Sequence, residues 1–259
     1  MSGPAIHASA IVDPGASVAA DCVVGPFCVI GPDVVLGEGC TLDSHVVIDG
    51  PCRIGPRNRF FPYASIGQRT QDLKYDGEPT HLEIGEGNTF REFVTVHRAT
   101  ASGETTAVGG GGNFLAYAHI AHDCRVGDRV IFSNNGTLAG HVEVDDFAVI
   151  GGLTAVHQFC RIGRHAITGG CSKIVQDVPP FFIADGNPAK IRGVNLVGLQ
   201  RHGYDDERIR IIKEAYKTLY MKNRPLAEAT SQLRGQFPDS EDIAALVEFI
   251  EASERGIIR

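Results

Sequence analysis

Four histidines stand in one stretch of this chain at spacings that bear on chemistry: His119, His122, His141 and His157. Within that stretch His122, Gly140 and Gln158 follow one another at intervals of 18 residues. An imidazole can take a proton from a hydroxyl near neutral pH, and an exposed glycine N–H can meet an oxyanion. Such a set suits base-catalysed acyl transfer, provided that the fold gathers it. Asp123, the neighbour of His122, can orient that imidazole or be an ordinary corner residue; its position alone leaves both open. A lone exposed histidine is more often merely solvated, so the weight rests on the cluster.

An interval of 18 brings residues together only if the chain returns on itself with that period. Stepping by six from Ile6 gives Val12, Val18, Val24, Ile30, Leu36, Leu42, Ile48, Ile54, Phe60 and Ile66. The same phase resumes at Ile84, Phe90 and Val96, and runs again from Val108 through Phe114, Ile120, Val126, Phe132, Leu138, Val144, Ile150, Val156 and Ile162 to Ile174, broken only by Thr168. A six-residue period with an apolar first slot is the signature of a parallel β-helix. Three hexads make one triangular coil of 18 residues, so His122, Gly140 and Gln158 are expected to stack in one column, with His141 and His157 beside it. Gly25, Gly31, Gly37, Gly55, Gly127 and Gly163 follow the apolar residue, where sharp turning is expected. The fifth slot is small or slim and holds Cys22, Cys28, Cys40, Cys52, Cys124 and Cys160, read as inward-facing packers.

The two gaps in the phase, 67–83 and 98–107, read as loops thrown from a corner, where binding residues commonly sit. The repeat stops near Pro179 and Pro180. After Arg201 the spacing of Ile209, Ile212, Tyr216 and Leu219 is helical, Pro225 suits a helix start, and Asp239 or Ser240 can cap a last helix. The expected division is a mainly β unit over 1–190 and a small α-helical C-terminal domain over 191–259. Residues 1–189 hold 12 Lys and Arg against 20 Asp and Glu, and residues 190–259 hold 12 against 11, so an acidic partner would favour the C-terminal end. The formal net charge is −7, with no basic run to gather a nucleic-acid backbone. No apolar run approaches the roughly 20 residues of a membrane span, and residues 1–10 lack a basic segment leading into an apolar one. Seven scattered cysteines fit reduced thiols, and the expected compartment is the cytoplasm.

Longer strings are more specific than the hexad. AHIAHDC at 118–124, LAGHVEVDDF at 138–147, GGLTAVHQFC at 151–160, QDLKYDGEPT at 71–80 and GNPAKIRGVN at 186–195 resemble the UDP-N-acetylglucosamine 3-O-acyltransferases that open lipid A biosynthesis, over essentially the whole chain. The resemblance implies a left-handed coil. It also implies transfer of an (R)-3-hydroxyacyl group from acyl carrier protein to the sugar 3-hydroxyl, without cofactor or metal, in a homotrimer with sites between subunits. In that reading His122 is the general base, Asp123 polarises it and the Gly140 N–H holds the oxyanion. Gln71, Asp72 and Lys74 match positions that contact the amino sugar or its phosphate, and His141, His157 and Gln158 match other pocket positions. Asn195 and Arg201 match nucleotide contacts, although Val197 and His202 stand where the family carries an acidic residue and a second arginine. Gly170 matches the position that sets acyl length, and glycine there implies a longer chain; Gly169 and Gly170 also suit a coil corner.

Two other readings fit a β-helix. A zinc hydratase of the γ-class carbonic anhydrase type would use His119 and His122 as ligands, but has no need of the helical domain or the QDLKY loop. A purely structural, ice-surface type would show flat threonine faces and no histidine column, and this sequence has neither of those traits.

Overall fold

The computed structural model describes residues 3–259, so the first two residues of the expected 1–190 unit lie outside the described residues. Strands of mostly two to four residues run from Ala5–Ile6 to Lys173–Ile174 and divide into three parallel sheets that form the faces of a triangular prism. The register confirms the 18-residue coil: Arg125 lies opposite Glu143, and Glu143 opposite Arg161. At the two loops the step lengthens in multiples of six, Phe60 pairing with Phe90 and Phe90 with Phe114, so the apolar phase survives both insertions.

Each slot of the hexad has a physical job. First-slot side chains from Val24 onward fill the prism core, and Thr168 keeps the slot by satisfying its hydroxyl, which accepts from the Gly151 N–H at 2.8 Å. Phe60, Phe90, Phe114 and Phe132 form a buried column with ring centroids 4.8 to 5.2 Å apart, stiffening the coils that carry the loops. Fifth-slot groups face corner carbonyls. Cys22, Cys28, Cys40 and Cys124 donate their thiols to a carbonyl 15 residues on, and Thr154 does the same with its hydroxyl.

The glycines after the apolar slot have a different cause from the one expected. They do not take the left-handed backbone; that falls two residues later, at Phe27, His45, Tyr63, Asp123, His141, Phe159 and their equivalents. What excludes a side chain at Gly37, Gly55 or Gly85 is the next coil, whose backbone would lie 2.8 Å from an added Cβ. Close stacking of corners, rather than turning, demands glycine there.

Beyond the coils the strand Phe182–Gly186 continues the largest sheet and turns back antiparallel as Ala189–Val194. That hairpin was not foreseen, and the 190/191 division falls inside its second strand. Helices α1 (Leu196–Arg201), α2 (Asp206–Tyr220), α3 (Leu226–Gln236) and α4 (Glu241–Glu251) follow. Helical structure thus begins before Arg201. Pro225 does open α3, and Ser240 caps α4 by accepting from the Ile243 N–H. A second core gathers Phe181 and Phe182 with Leu199, Ile212, Leu219, Leu233, Leu246 and Val247, so two residues of the first unit anchor the helices.

Candidate active site

Prism geometry sorts the candidate residues by edge. Both loops leave the edge between the nine-stranded and eight-stranded sheets, and so do the corners holding His122 and Asp123, Gly140 and His141, and His157 and Gln158. One edge therefore carries Gln71, Asp72, Lys74 and the whole expected column. Gly170 lies on the edge between the eleven-stranded and nine-stranded sheets, and Asn195 and Arg201 belong to α1 at the third edge. A single chain does not bring those three to His122.

Asp123 sits in the left-handed backbone region, φ 59°, which turns its carboxylate back toward the preceding residue. Its Oδ2 accepts from His122 Nδ1 at 2.7 Å. A carboxylate only accepts, so Nδ1 carries the hydrogen and the His122 Nε2 lone pair is free. His141 is perpendicular to His122, with centroids 5.3 Å apart, and its Nε2 lies 3.6 Å from the same carboxylate oxygen. Phe159 stacks on the His141 ring with centroids 4.6 Å apart. His157 is exposed and bonds the carbonyl of Gln158, one coil along the edge.

Gly140 makes this arrangement possible. The His122 ring lies over its Cα, so closely that an added Cβ would stand 2.5 Å from Nε2 and 2.9 Å from Nδ1. The Gly140 N–H donates to no acceptor among the described residues. The third slot generally lacks a ladder partner for its N–H, which is why Pro14, Pro26, Pro32, Pro56 and Pro62 fit it elsewhere; at Gly110 and Asp128 a carboxylate from a neighbouring corner accepts it instead. On this edge an imidazole packs against the glycine whose amide is free.

Two further imidazoles stand nearby: His97, which sequence did not single out, and His119, to which it gave a role only as a candidate zinc ligand. His97 is buried and lines the cavity under the first loop with Thr70, Gln71, Asp72 and Tyr75. Its ring lies 5.0 Å from that of His119, which in turn bonds Thr95 Oγ1 at 2.7 Å. Burial, with the charges of His119 and His122 next, pushes His97 down to about 4. Burial and then His122 also lower His119. Neutral neighbours add no cation to oppose one forming on His122. His97 escapes the 18-residue rule because the second loop separates its coil from that of His119.

The other candidates have definite places. Asp72 accepts from the Lys74 N–H at 2.9 Å, forming a tight turn at the loop tip beside fully exposed Leu73. Asn195 is buried and caps α1, its Oδ1 accepting from the Gly198 N–H while Nδ2 donates to the His165 carbonyl. Arg201 is exposed at the end of that helix. Gly169 is held to glycine by Asp185, whose side chain would collide with a Cβ. At Gly170 an added Cβ would meet only the Gly152 carbonyl, at an ordinary 3.5 Å. Corner geometry therefore accounts for Gly169 but not for Gly170.

A coiled hexapeptide-repeat prism with a histidine–carboxylate pair beside an unpaired amide fits the class of hexapeptide-repeat acyltransferases. Comparison with known proteins places it more closely. The acyl-[acyl-carrier-protein]–UDP-N-acetylglucosamine O-acyltransferase of Burkholderia orbicola is 54% identical, across 98% of this chain and 99% of that protein. Its Verminephrobacter eiseniae counterpart is 48% identical over 82% of each. The solved structure of LpxA from Acinetobacter baumannii superimposes with a TM-score of 0.95 at 41% identity, covering 98% of this chain and 100% of that one. The family described as Udp N-acetylglucosamine O-acyltransferase, Domain 2, matches residues 177–258. This chain belongs to the acyl-[acyl-carrier-protein]–UDP-N-acetylglucosamine O-acyltransferase family, and its coil is left-handed. No helix among the described residues is long and apolar enough to cross a membrane.

Proposed function

We propose that this O-acyltransferase moves an (R)-3-hydroxyacyl chain from acyl carrier protein to the 3-hydroxyl of UDP-N-acetylglucosamine, the opening step of lipid A biosynthesis, in the cytoplasm. The observation that carries the mechanism is the His122–Asp123 pair packed against Gly140, whose N–H is unpaired. His122 Nε2 takes the hydroxyl proton as the sugar oxygen attacks the thioester carbonyl. The tetrahedral oxyanion receives the Gly140 N–H. Collapse breaks the carbon–sulfur bond, and the imidazolium returns its proton to the leaving thiolate. A base in this role supplies about 10² to 10⁴ in rate and one oxyanion donor about 10² to 10³. Gln71, Asp72 and Lys74 hold the sugar phosphate end, His141, His157 and Gln158 complete the pocket, Asn195 sets α1 so that Arg201 meets the nucleotide, and Gly170 leaves the acyl groove open. Their division among three edges supports a homotrimer in which the loop edge of one copy faces other edges of the next.

A second reading has one observation in its favour. His122, Asp123 and His141 place ligand atoms within 4.8 Å of one another, enough to hold a metal ion. The trio differs from the His119–His122 pair expected for a zinc hydratase. Incubating the protein with UDP-N-acetylglucosamine and a panel of hydroxyacyl carrier proteins tests the proposal: 3-O-acylated product is expected, with preference for a longer chain. Absence of product together with stoichiometric zinc would favour the hydratase.

A further inference from the structure

The base pair is not held by its own corner alone. Asp123 Oδ1, the oxygen that His122 does not use, accepts from the backbone N–H of Thr100 at 3.2 Å, and the Asp123 N–H donates to Thr106 Oγ1 at 2.8 Å. Thr100 and Thr106 lie at either end of the second loop. From Thr100 the chain of bonds continues: its Oγ1 lies 2.9 Å from Thr70 Oγ1, and Thr70 Oγ1 accepts from the Asp72 N–H at 3.0 Å. Thr70 is buried at 6% exposure, where a hydroxyl without partners is costly, so these bonds are built in.

We infer that Thr70 and Thr100 are positioning residues that tie the substrate loop to the general base, through the run Asp72–Thr70–Thr100–Asp123–His122. Thr100 fixes the Asp123 carboxylate by its backbone amide, and the hydroxyl pair fixes where that amide stands. Loop one, which carries Asp72 and Lys74, is thereby registered against the imidazole it serves. A substrate drawn onto the loop tip meets a base already aligned, and a loop displaced from its seat misaligns Asp123. This rests on the acyl-transfer reading of the same edge.

The test compares wild type with T70V, T100V, T70S, T100S and the double variant T70V/T100V, each checked for an unchanged melting temperature within a few degrees. Valine keeps the shape and the Thr100 amide but removes the hydroxyl. With both substrates saturating, loss of one neutral hydrogen bond is expected to lower kcat about 3- to 10-fold. Serine at either site is expected to restore turnover. The double variant is expected to be no worse than the poorer single one, because both break the same link. An increase in KM for the nucleotide sugar with kcat unchanged would overturn the inference, since the threonines would then only shape the loop. Multiplicative losses in the double variant, or serine variants as poor as valine, would also overturn it. Should wild type itself show no acyl transfer, the functional proposal fails instead, which the same plate reports directly.

Discussion

Gly140→Ala separates two roles that glycine could play. The position does not require a left-handed backbone, and alanine keeps the N–H, so a site that needs only the amide should tolerate it. The added methyl, however, would lie 2.5 Å from His122 Nε2 and 2.9 Å from Nδ1. Unstrained contact begins near 3.4 Å, so the ring must withdraw by about 1 Å, and a displacement of that order costs about 100-fold in rate. Withdrawal also breaks the 2.7 Å bond to Asp123. The His122 side chain is 13% exposed and belongs to the prism's edge rather than its core, so stability should change by only about 1 kcal/mol. Steady-state turnover with both substrates saturating, alongside a thermal melt, measures the two effects. On a His122→Ala background the same change should cost nothing further. Turnover by Gly140→Ala within about 3-fold of wild type, or a loss of about 100-fold that persists once His122 is gone, would refute this role for the glycine.

Other outcomes follow from single features. Gly170→Met should fold, because the position is open, and should shift donor preference toward shorter hydroxyacyl chains; an unchanged preference removes Gly170 from the acyl groove. His97 and His165 are both pushed down to about 4, mainly by burial. Once unfolded they titrate near 6.5, so between about pH 6.5 and 4 the unfolded chain binds more protons and stability falls with pH, by up to about 3 kcal/mol for each. His165→Gln should flatten the fall in melting temperature across that window, and an identical slope refutes the assignment. Burial pushes the Cys52 and Cys124 thiols up to about 12, while Cys171 is exposed. A thiol reagent should accordingly label one cysteine quickly in the native protein, and Cys171→Ser should abolish that phase.

Much of the fold was legible because a coil of fixed length converts sequence distance into contact. The interval from His122 to Gly140 predicted their meeting, and loops that preserved the phase had to leave from a corner. Features outside the repeat were harder to read. His97 reaches the site only because a loop lengthens its coil. The hairpin from Phe182 to Val194 is set by pairing to an edge strand, and Thr70 and Thr100 meet through loop geometry with no period. The glycines after the apolar slot were found by pattern but misread in cause, since a pattern reports where a side chain is missing and not which neighbour forbids it. The one-edge grouping of Asp72, Lys74, His122 and Gly140 was implicit in the count, whereas the separate placement of Gly170 and Arg201 needed coordinates.

The most direct measurement is acyl transfer to UDP-N-acetylglucosamine by wild type and His122→Ala, at saturating hydroxyacyl carrier protein, with the metal content of both preparations determined. Expected are 3-O-acylated sugar from wild type, a loss of at least about 100-fold in the variant with the fold intact, and no dependence on bound zinc. Near-normal turnover in His122→Ala would remove that residue as the base. Stoichiometric zinc in wild type that is lost with His122, in a protein that transfers no acyl group, would contradict the account as a whole.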